Sequence, residues 1–497
     1  MSRLKTIDSV FLRVVRSFKL TEYLPGRRWS MALPMLLNLL PAVLAAQTVG
    51  DRMMIREATE LRRAEDESER IPWGAFVTVV RVGADRCRVS WVPPQRSEID
   101  GWVERHVLAT TEESLVLLNE ALRVAPEQRG ARVARGELWL LTGKPDSAID
   151  DFSAALRIDS TDAQALYGRG SAYLHSDSPG KAMNDLNELV RINPYWARAW
   201  TLRGEIWRAR RDLDKAIANH DQAIRLAPND PAALRARAVC WQAKRDFEKA
   251  RADFDAVVAL DPSDAEAWMG RGESHFANGD FQAAVDDYGE VVVLRPRDVE
   301  PRVCRGNVYQ AMEKWQQAVA DFTFALRLAP DNVPALISRG TTWFMTRDFD
   351  RALADYDRAV KIAPDDAQAW IGRATALKAK KNYGQALNDL DQAIRLAPKS
   401  QAAHGQAAWI RAACPVADHR DGRRAVELAT RACALSNWQE AEWVSVLAAA
   451  YAESNDYAAA VKWQNKALGL VSQPAERELF FRRMERFQAG QPLRDHP

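Results

Sequence analysis

The sequence is poor in the residues that mark several common protein classes. Five cysteines in 497 residues are too few for a disulfide scaffold, and the odd number leaves at least one unpaired within a monomer. Glycine and proline, 24 and 23 in number, make up about a tenth of the chain, which excludes collagen and low-complexity disorder. Neither sign of charge dominates. The 69 lysines and arginines against 67 aspartates and glutamates leave +2, which removes the main argument for a nucleic-acid or anionic-membrane partner. Catalytic motifs are missing as well: there is no G-x-S-x-G, Walker loop, H-E-x-x-H, or G-x-G-x-x-G after a strand. No catalytic residues, cofactor or metal are expected. Cys414, His419 and Cys433 form the one loose Cys/His cluster, and its spacing fits no metal motif. A Cys414–Cys433 disulfide is an open option there after export.

Long apolar runs are scarce too. Residues 31–46, MALPMLLNLLPAVLAA, are preceded by Arg27 and Arg28 and end in small residues. The run is shorter than the roughly 20 apolar residues of a spanning helix and is broken by Pro34, Asn38 and Pro41. Basic flank, short apolar core and alanine-rich end match an export signal occupying residues 1–46, cleaved after Ala45 or Ala46. An uncleaved anchor is the alternative. The mature chain is expected to carry no transmembrane segment and to work in the periplasm or outside the cell.

Residues 47–110 have a different texture. Phe76–Val82 is β-branched and aromatic, Cys87–Val92 alternates with period two, and Gly101-Trp102-Val103 opens a third run. Gly83, Pro93-Pro94 and Gly101 punctuate them. Short strands with turn residues between them argue a small all-β barrel. The V-x-V, W-V, G-W-V order resembles a bacterial Src-homology-3-like domain. Domains of that kind bind peptides or cell-wall material through aromatics between loops, which makes Trp91 and Trp102 ligand candidates. The competing reading is that both tryptophans fill the core of a very small barrel.

What the sequence has in abundance is order at a spacing of 34. Pro126, Pro194, Pro228, Pro262, Pro296, Pro330, Pro364 and Pro398 share one register, with Ser160 at the missing step. Ten residues after the start of each step stands Gly or Ala (Gly136, Gly170, Gly204, Ala238, Gly272, Gly306, Gly340, Ala374), and twelve further on always alanine, from Ala148 to Ala386. With glycine numbered 8 and proline 32, positions 4, 8 and 11 lie on one face of a first helix, and 20, 24 and 27 on one face of a second. Large residues recur at 4 and 11, aromatics at 24, and small ones at 8 and 20, so large side chains pack where small ones let helices approach. Seven of the 17 tryptophans fall at positions 4 or 11.

This pattern resembles the tetratricopeptide repeat over residues 111–474. It predicts a mainly α-helical solenoid: a half repeat ending at Pro126, about ten helix-turn-helix repeats, an insertion near 414–424, and a capping helix and tail at 475–497. Position 7 is arginine eight times running (Arg135, Arg169, Arg203, Arg237, Arg271, Arg305, Arg339, Arg373). Position 23 is aspartate at Asp151, Asp185, Asp253, Asp287, Asp321, Asp355 and Asp389, with Asn219 the exception. Both positions adjoin core residues, so a repeated structural ion pair is the expected reading, and a basic stripe gripping an acidic partner is the alternative.

The resemblance further implies that first-helix positions 2, 5, 9, 12 and 13 build an inner, concave wall that binds a protein or peptide. Carried over, this names Tyr167, Leu174, Met269, Phe276, Asn307, Gln310, Ile337, Phe344, Ile371 and Lys378 as partner-binding candidates. The expected function is a non-catalytic interaction scaffold acting outside the cytoplasm. The alternative is a cell-envelope accessory protein whose barrel binds cell-wall glycan or peptide while the array recruits an enzyme.

Overall fold

The structure is a computed structural model that describes residues 111–494, together with the backbone of seven strands between residues 52 and 109. The expected export signal and the side chains of Trp91 and Trp102 lie outside the described residues. The strands are β1 Arg52–Ile55, β2 Thr59–Ala64, β3 Glu67–Ile71, β4 Phe76–Val82, β5 Arg86–Trp91, β6 Ile99–Glu104 and β7 Leu108–Ala109. They form one sheet in the order β3-β2-β6-β5-β4-β1-β7. β4, β5 and β6 pair as an antiparallel meander, with Val79 opposite Val89 and Val89 opposite Gly101.

The chain divides into two compact units, residues 1–228 and 229–497. The helices of the first are α1 Thr111–Val124, α2 Arg129–Leu141, α3 Pro145–Ile158, α4 Ala163–His175, α5 Pro179–Ile192, α6 Ala197–Ala209 and α7 Leu213–Leu226. Those of the second are α8 Pro231–Ala243, α9 Phe247–Leu260, α10 Ala265–Asn278, α11 Phe281–Leu294, α12 Glu300–Ala311, α13 Trp315–Leu328, α14 Val333–Met345, α15 Phe349–Ile362, α16 Ala367–Ala379, α17 Tyr383–Leu396, α18 Gln401–Ala413, α19 Gly422–Leu435, α20 Ala441–Glu453, α21 Tyr457–Leu470 and α22 Pro474–Gln488. From α2 onward, even-numbered helices open a repeat and odd-numbered ones close it, as far as α21. Residues 414–421, which hold a short 3-10 turn at Ala417–His419, lengthen the link before α19.

Many of the helices begin and end for a reason visible in the sequence. Asp162, Asp230, Asp264, Asn332 and Asp366 cap first helices by accepting a backbone N–H of the opening turn. Asp212, Asp246 and Asp348 do the same for second helices. The turn inside each of the eight in-register repeats is a Schellman closure: Arg245 N–H donates to Gln242 O at 2.8 Å and Asp246 N–H to Trp241 O at 2.9 Å. Position 15 of that turn has positive φ in all eight in-register repeats, yet only Gly143 and Gly279 are glycine; Asp177, Arg211, Arg245, Glu313, Arg347 and Lys381 occupy the rest at φ between 50° and 63°.

Packing follows from the small positions. The alanines at position 20, from Ala148 to Ala386, are all 0% exposed. The ring at position 24 is clasped from two sides. A Cβ added to Gly136 would stand 2.8 Å from the Phe152 ring, and one added to Gly168, at position 6 of the next repeat, 2.4 Å from it. Gly340 and Gly372 hold Tyr356 in the same way, at 3.1 and 2.3 Å. Phe152, Phe254 and Phe322 are accordingly the largest fully buried side chains of the repeats. The tryptophans are only half-buried. Trp200, Trp268 and Trp370 donate their indole N–H to Pro194 O, Pro262 O and Pro364 O at 2.8–2.9 Å, stapling each first helix to the loop before it. Arg132 makes the equivalent bond to Pro126 O. At the C-terminus α22 buries Phe480, Met484 and Phe487.

Candidate functional site

The arginine of position 7 forks onto the aspartate of position 23 in its own repeat. Arg135 bonds Asp151 through Nε and Nη2 at 2.7 Å each, and the same two-bond pair joins Arg169 to Asp185, Arg237 to Asp253, Arg271 to Asp287, Arg305 to Asp321, Arg339 to Asp355 and Arg373 to Asp389. The carboxylates are buried, with Asp287 3% exposed. The hydrogen-bonded carboxylate raises the Arg271 guanidinium above its ordinary range against the opposing effect of burial. Arg203 faces the amide of Asn219 with a single bond of 2.6 Å, and there burial alone pushes the guanidinium down.

A third contact had no counterpart in the sequence reading. Nη1 reaches back to position 25 of the preceding repeat: Arg135 to Asn119, Arg169 to Ser153, Arg203 to Asn187, Arg271 to Asp255, Arg339 to Thr323 and Arg373 to Asp357. The signal for it is the run of polar residues at position 25. Arg203, Arg271 and Arg373 also lie over Trp200, Trp268 and Trp370 at 4.3, 4.5 and 4.8 Å from the ring centre. The ladder thus ties repeat to repeat from within, and its arginines are engaged with other parts of the same chain.

The candidate wall residues fare unequally. Ile371 is 7% exposed and packs with Ala374, Leu377 and Ala407, so it belongs to the core and not to a binding face. Gln310 is committed between repeats, donating Nε2 to Ser338 O at 2.8 Å and to the Thr342 hydroxyl at 2.7 Å. Gln242 makes the same bridge to Gly270 O and Ser274. Tyr167 stacks on Trp196 at 5.8 Å, and Leu174 packs beside it in the first unit's core. Met269 and Ile337 are half-buried against neighbouring clusters, and Asn307 and Lys378 are half-buried. Phe276 rests on Phe281 and Phe344 on Phe349, with Phe276 38% exposed. Three exposed apolar residues of first helices have no place in the sequence-derived wall: Leu141 and Met345 at position 13 and Val239 at position 9, 43%, 54% and 36% exposed.

Beside Phe276 the face is acidic. Burial pushes the Glu273 carboxyl up, Glu300 and Glu266 add to the rise, and a bond from Gln242 opposes it. Burial, with Glu300 and Glu273 nearby, lifts the Cys304 thiol to about 12. Cys414 and Cys433 are both buried. Among the described residues no group of three or more His, Cys, Asp or Glu side chains is placed to hold a metal ion, and no helix is long and apolar enough to cross a membrane.

A tetratricopeptide-repeat family model matches residues 112–163, 242–299 and 305–367, and a second one matches 367–400. The matched segments of the helical array are tetratricopeptide repeats. No curated protein matches the chain. Similar solved structures include a tetratricopeptide-repeat protein from Parabacteroides merdae, 18% identical, covering 47% of this chain and 93% of its own at a TM-score of 0.41. Yeast Tom70 is 16% identical over 76% and 92% of the two chains, with a TM-score of 0.40. YrrB, described as having an unusual peptide-binding site, is 22% identical over 37% and 95%, with a TM-score of 0.32. Tetratricopeptide-repeat proteins bind protein or peptide partners and are generally interaction scaffolds, and their fold is typically non-catalytic.

Proposed function

We propose that this chain is a non-catalytic scaffold working outside the cytoplasm, which holds an extended or helical segment of a protein partner in the concave groove of its tetratricopeptide repeats. The observation that carries the reading is the exposure of Val239, Phe276 and Met345, at 36%, 38% and 54%, on three first helices of the second unit. They occupy positions 9, 12 and 13, and first helices of the same unit also carry the polar residues Glu273, Asn307 and Lys378. A few apolar anchors in a polar surround suit a segment that docks by inserting one or two side chains. The basic-flanked apolar run at 31–46 supports export.

A photo-crosslinking residue at 276 or 345, introduced in the producing cell, is expected to trap one partner repeatedly. The same probe at Val293, 73% exposed on a second helix, is expected to trap none. Equal capture from 293 refutes the groove, and resistance of the intact chain to protease added outside the inner membrane refutes export. A second reading is favoured by the strands at 76–104: a Src-homology-3-like barrel binds cell-wall glycan or peptide through Trp91 and Trp102 while the array recruits an enzyme. It requires wall retention of the full chain that Trp91→Ala and Trp102→Ala abolish.

A further inference from the structure

The second unit contains six junctions at which a second helix hands over to the next first helix, and four of them, α9/α10, α11/α12, α13/α14 and α15/α16, keep both the loop proline and the position-7 arginine. Three of these four are fastened in the same three ways. A side chain donates to the carbonyl of the loop proline: Trp268 of α10 to Pro262 O at 2.9 Å and Trp370 of α16 to Pro364 O at 2.8 Å, while at α13/α14 the donor to Pro330 O is Arg358 of the following second helix α15, at 2.7 Å. The position-7 arginine reaches back to the preceding second helix: Arg271 to Asp255 at 2.7 Å, Arg339 to Thr323 at 3.1 Å and Arg373 to Asp357 at 3.0 Å. A side chain caps the incoming first helix, at Asp264, Asn332 and Asp366.

At α11/α12 none of the three is made among the described residues. Position 4 is Arg302, and its guanidinium turns forward over the Phe324 ring at 3.8 Å instead of back to the proline loop, leaving Nε buried with no hydrogen-bond partner among the described residues. Position 25 is Gly289, so Arg305 keeps its pair with Asp321 and makes no backward bond. The cap residue is Val299, which offers no side-chain acceptor, and α12 starts one position late, at Glu300 followed by Pro301. Gly289 also sits in the interior of α11, where glycine weakens a helix. Glu300, at the start of α12, raises the Glu273 carboxyl of α10, so like charges face each other near the same joint.

We infer that the α11/α12 junction is a hinge built into the array. Apolar packing of Tyr288 and Val308 with Met269 and Cys304 keeps the two sides together. Packing of that kind is non-directional and tolerates small rotations, whereas the missing hydrogen bonds would fix the angle. Phe276 lies on one side of the joint, and Ile337 and Phe344 on the other. The hinge therefore sets the spacing of apolar anchors on the first-helix face, and a bound segment would select one spacing from several.

Amide hydrogen exchange on the full chain tests this without a partner. Protection of residues 297–306 is compared with that of the equivalent residues 263–272 and 365–374. The expected result is exchange about tenfold or more faster at 297–306, reflecting local opening in the absence of several hydrogen bonds. Equal protection at the three junctions overturns the proposal. Gly289→Asp supplies Arg305 with the acceptor that Asp255 and Asp357 provide elsewhere. Among the described residues only the Arg305 guanidinium lies within 4 Å of a Cβ at that site, so the side chain has room. This variant is expected to slow exchange at 297–306 at least threefold beyond Gly289→Ala, which improves the helix without restoring the bond. If Gly289→Asp and Arg302→Trp both fold, by circular dichroism, and neither slows exchange beyond Gly289→Ala, the missing fastenings do not make a hinge.

Discussion

Replacing Arg271 with leucine separates the two readings of the charged ladder. Arg271 holds Asp287 with bonds of 3.0 and 2.7 Å and Asp255 with one of 2.7 Å, and its guanidinium covers Trp268. The Asp255 contact is largely exposed and contributes little, since surface pairs are worth at most about 1 kcal/mol. Asp287 is different. Its side chain is 4% exposed, and the substitution leaves a buried carboxylate with no guanidinium, a situation that costs about 3–5 kcal/mol. Taking about 3 kcal/mol, and a few degrees per kcal/mol for a cooperative unit of this size, the melting temperature should fall by roughly 6–12 °C. The protein supplies its own control. Arg203 faces Asn219, whose amide donates to Lys215 O at 2.7 Å and carries no charge, so Arg203→Leu should cost only about 1 kcal/mol. Adding Asp287→Asn to Arg271→Leu recreates that neutral arrangement and should recover most of the loss. Circular dichroism melts and urea titrations of the four proteins decide the matter. The structural reading fails if Arg271→Leu melts with the wild type and loses the partner trapped at 276, or if the double variant is no more stable than the single one.

Two further outcomes follow from the same geometry. Arg245 and Arg347 are exposed and hold φ of 62° and 63°, which disfavours any residue with a Cβ; Arg245→Gly and Arg347→Gly should each raise stability by about 0.5–1 kcal/mol in urea titrations, and a loss would mean that the arginine side chains make compensating contacts. Glu273 binds a proton more readily in the fold than in the unfolded chain, because burial and the nearby Glu300 and Glu266 raise it, so its contribution to stability falls as pH rises above the ordinary carboxylate range. Glu273→Gln should therefore be more stable than wild type at pH 7, and the gap should close as the pH is lowered into that range; a gap independent of pH would refute the assignment.

Sequence reasoning reached the repeat because each unit must meet its neighbours with the same surface. The position-20 alanines, the glycines at 8 and the Arg–Asp spacing recur with the register, and residues that recur can be read against one another. Contacts between repeats were harder to see. The glycines at position 6, Gly168, Gly270 and Gly372, recur only every third repeat; each faces the ring of the repeat before it, Phe152, Phe254 or Tyr356, while Tyr288 and Phe322 are followed at that position by Cys304 and Ser338. The tryptophans at position 4 read as pure core. The structure leaves them half-buried, because the indole N–H has to reach a proline carbonyl in a loop at the surface. Ile371 was misplaced on the wall for a related reason. Position 5 can face either a groove or the next helix, and its apolar side chain is drawn into the cluster of Leu377 and Ala407.

A binding face need not repeat, so the register that reveals packing is silent about it. The informative residues in such an array are the departures from its own rule. A single departure means little: Asn219 replaces an aspartate, and the ladder continues through it with one bond fewer. Departures that fall together mean more, since independent losses would be scattered along the repeats. Gly289, Val299 and Arg302 lie within fourteen residues and remove three different kinds of fastening from one junction. The core positions there keep to the rule, with Ala284 and Tyr288 buried as in the other repeats. Retained packing with lost directional bonds is the combination that leaves a joint cohesive and its angle free. It is set between the exposed anchor Phe276 and the next apolar pair on the same face, so the hinge and the binding surface are best tested as one device.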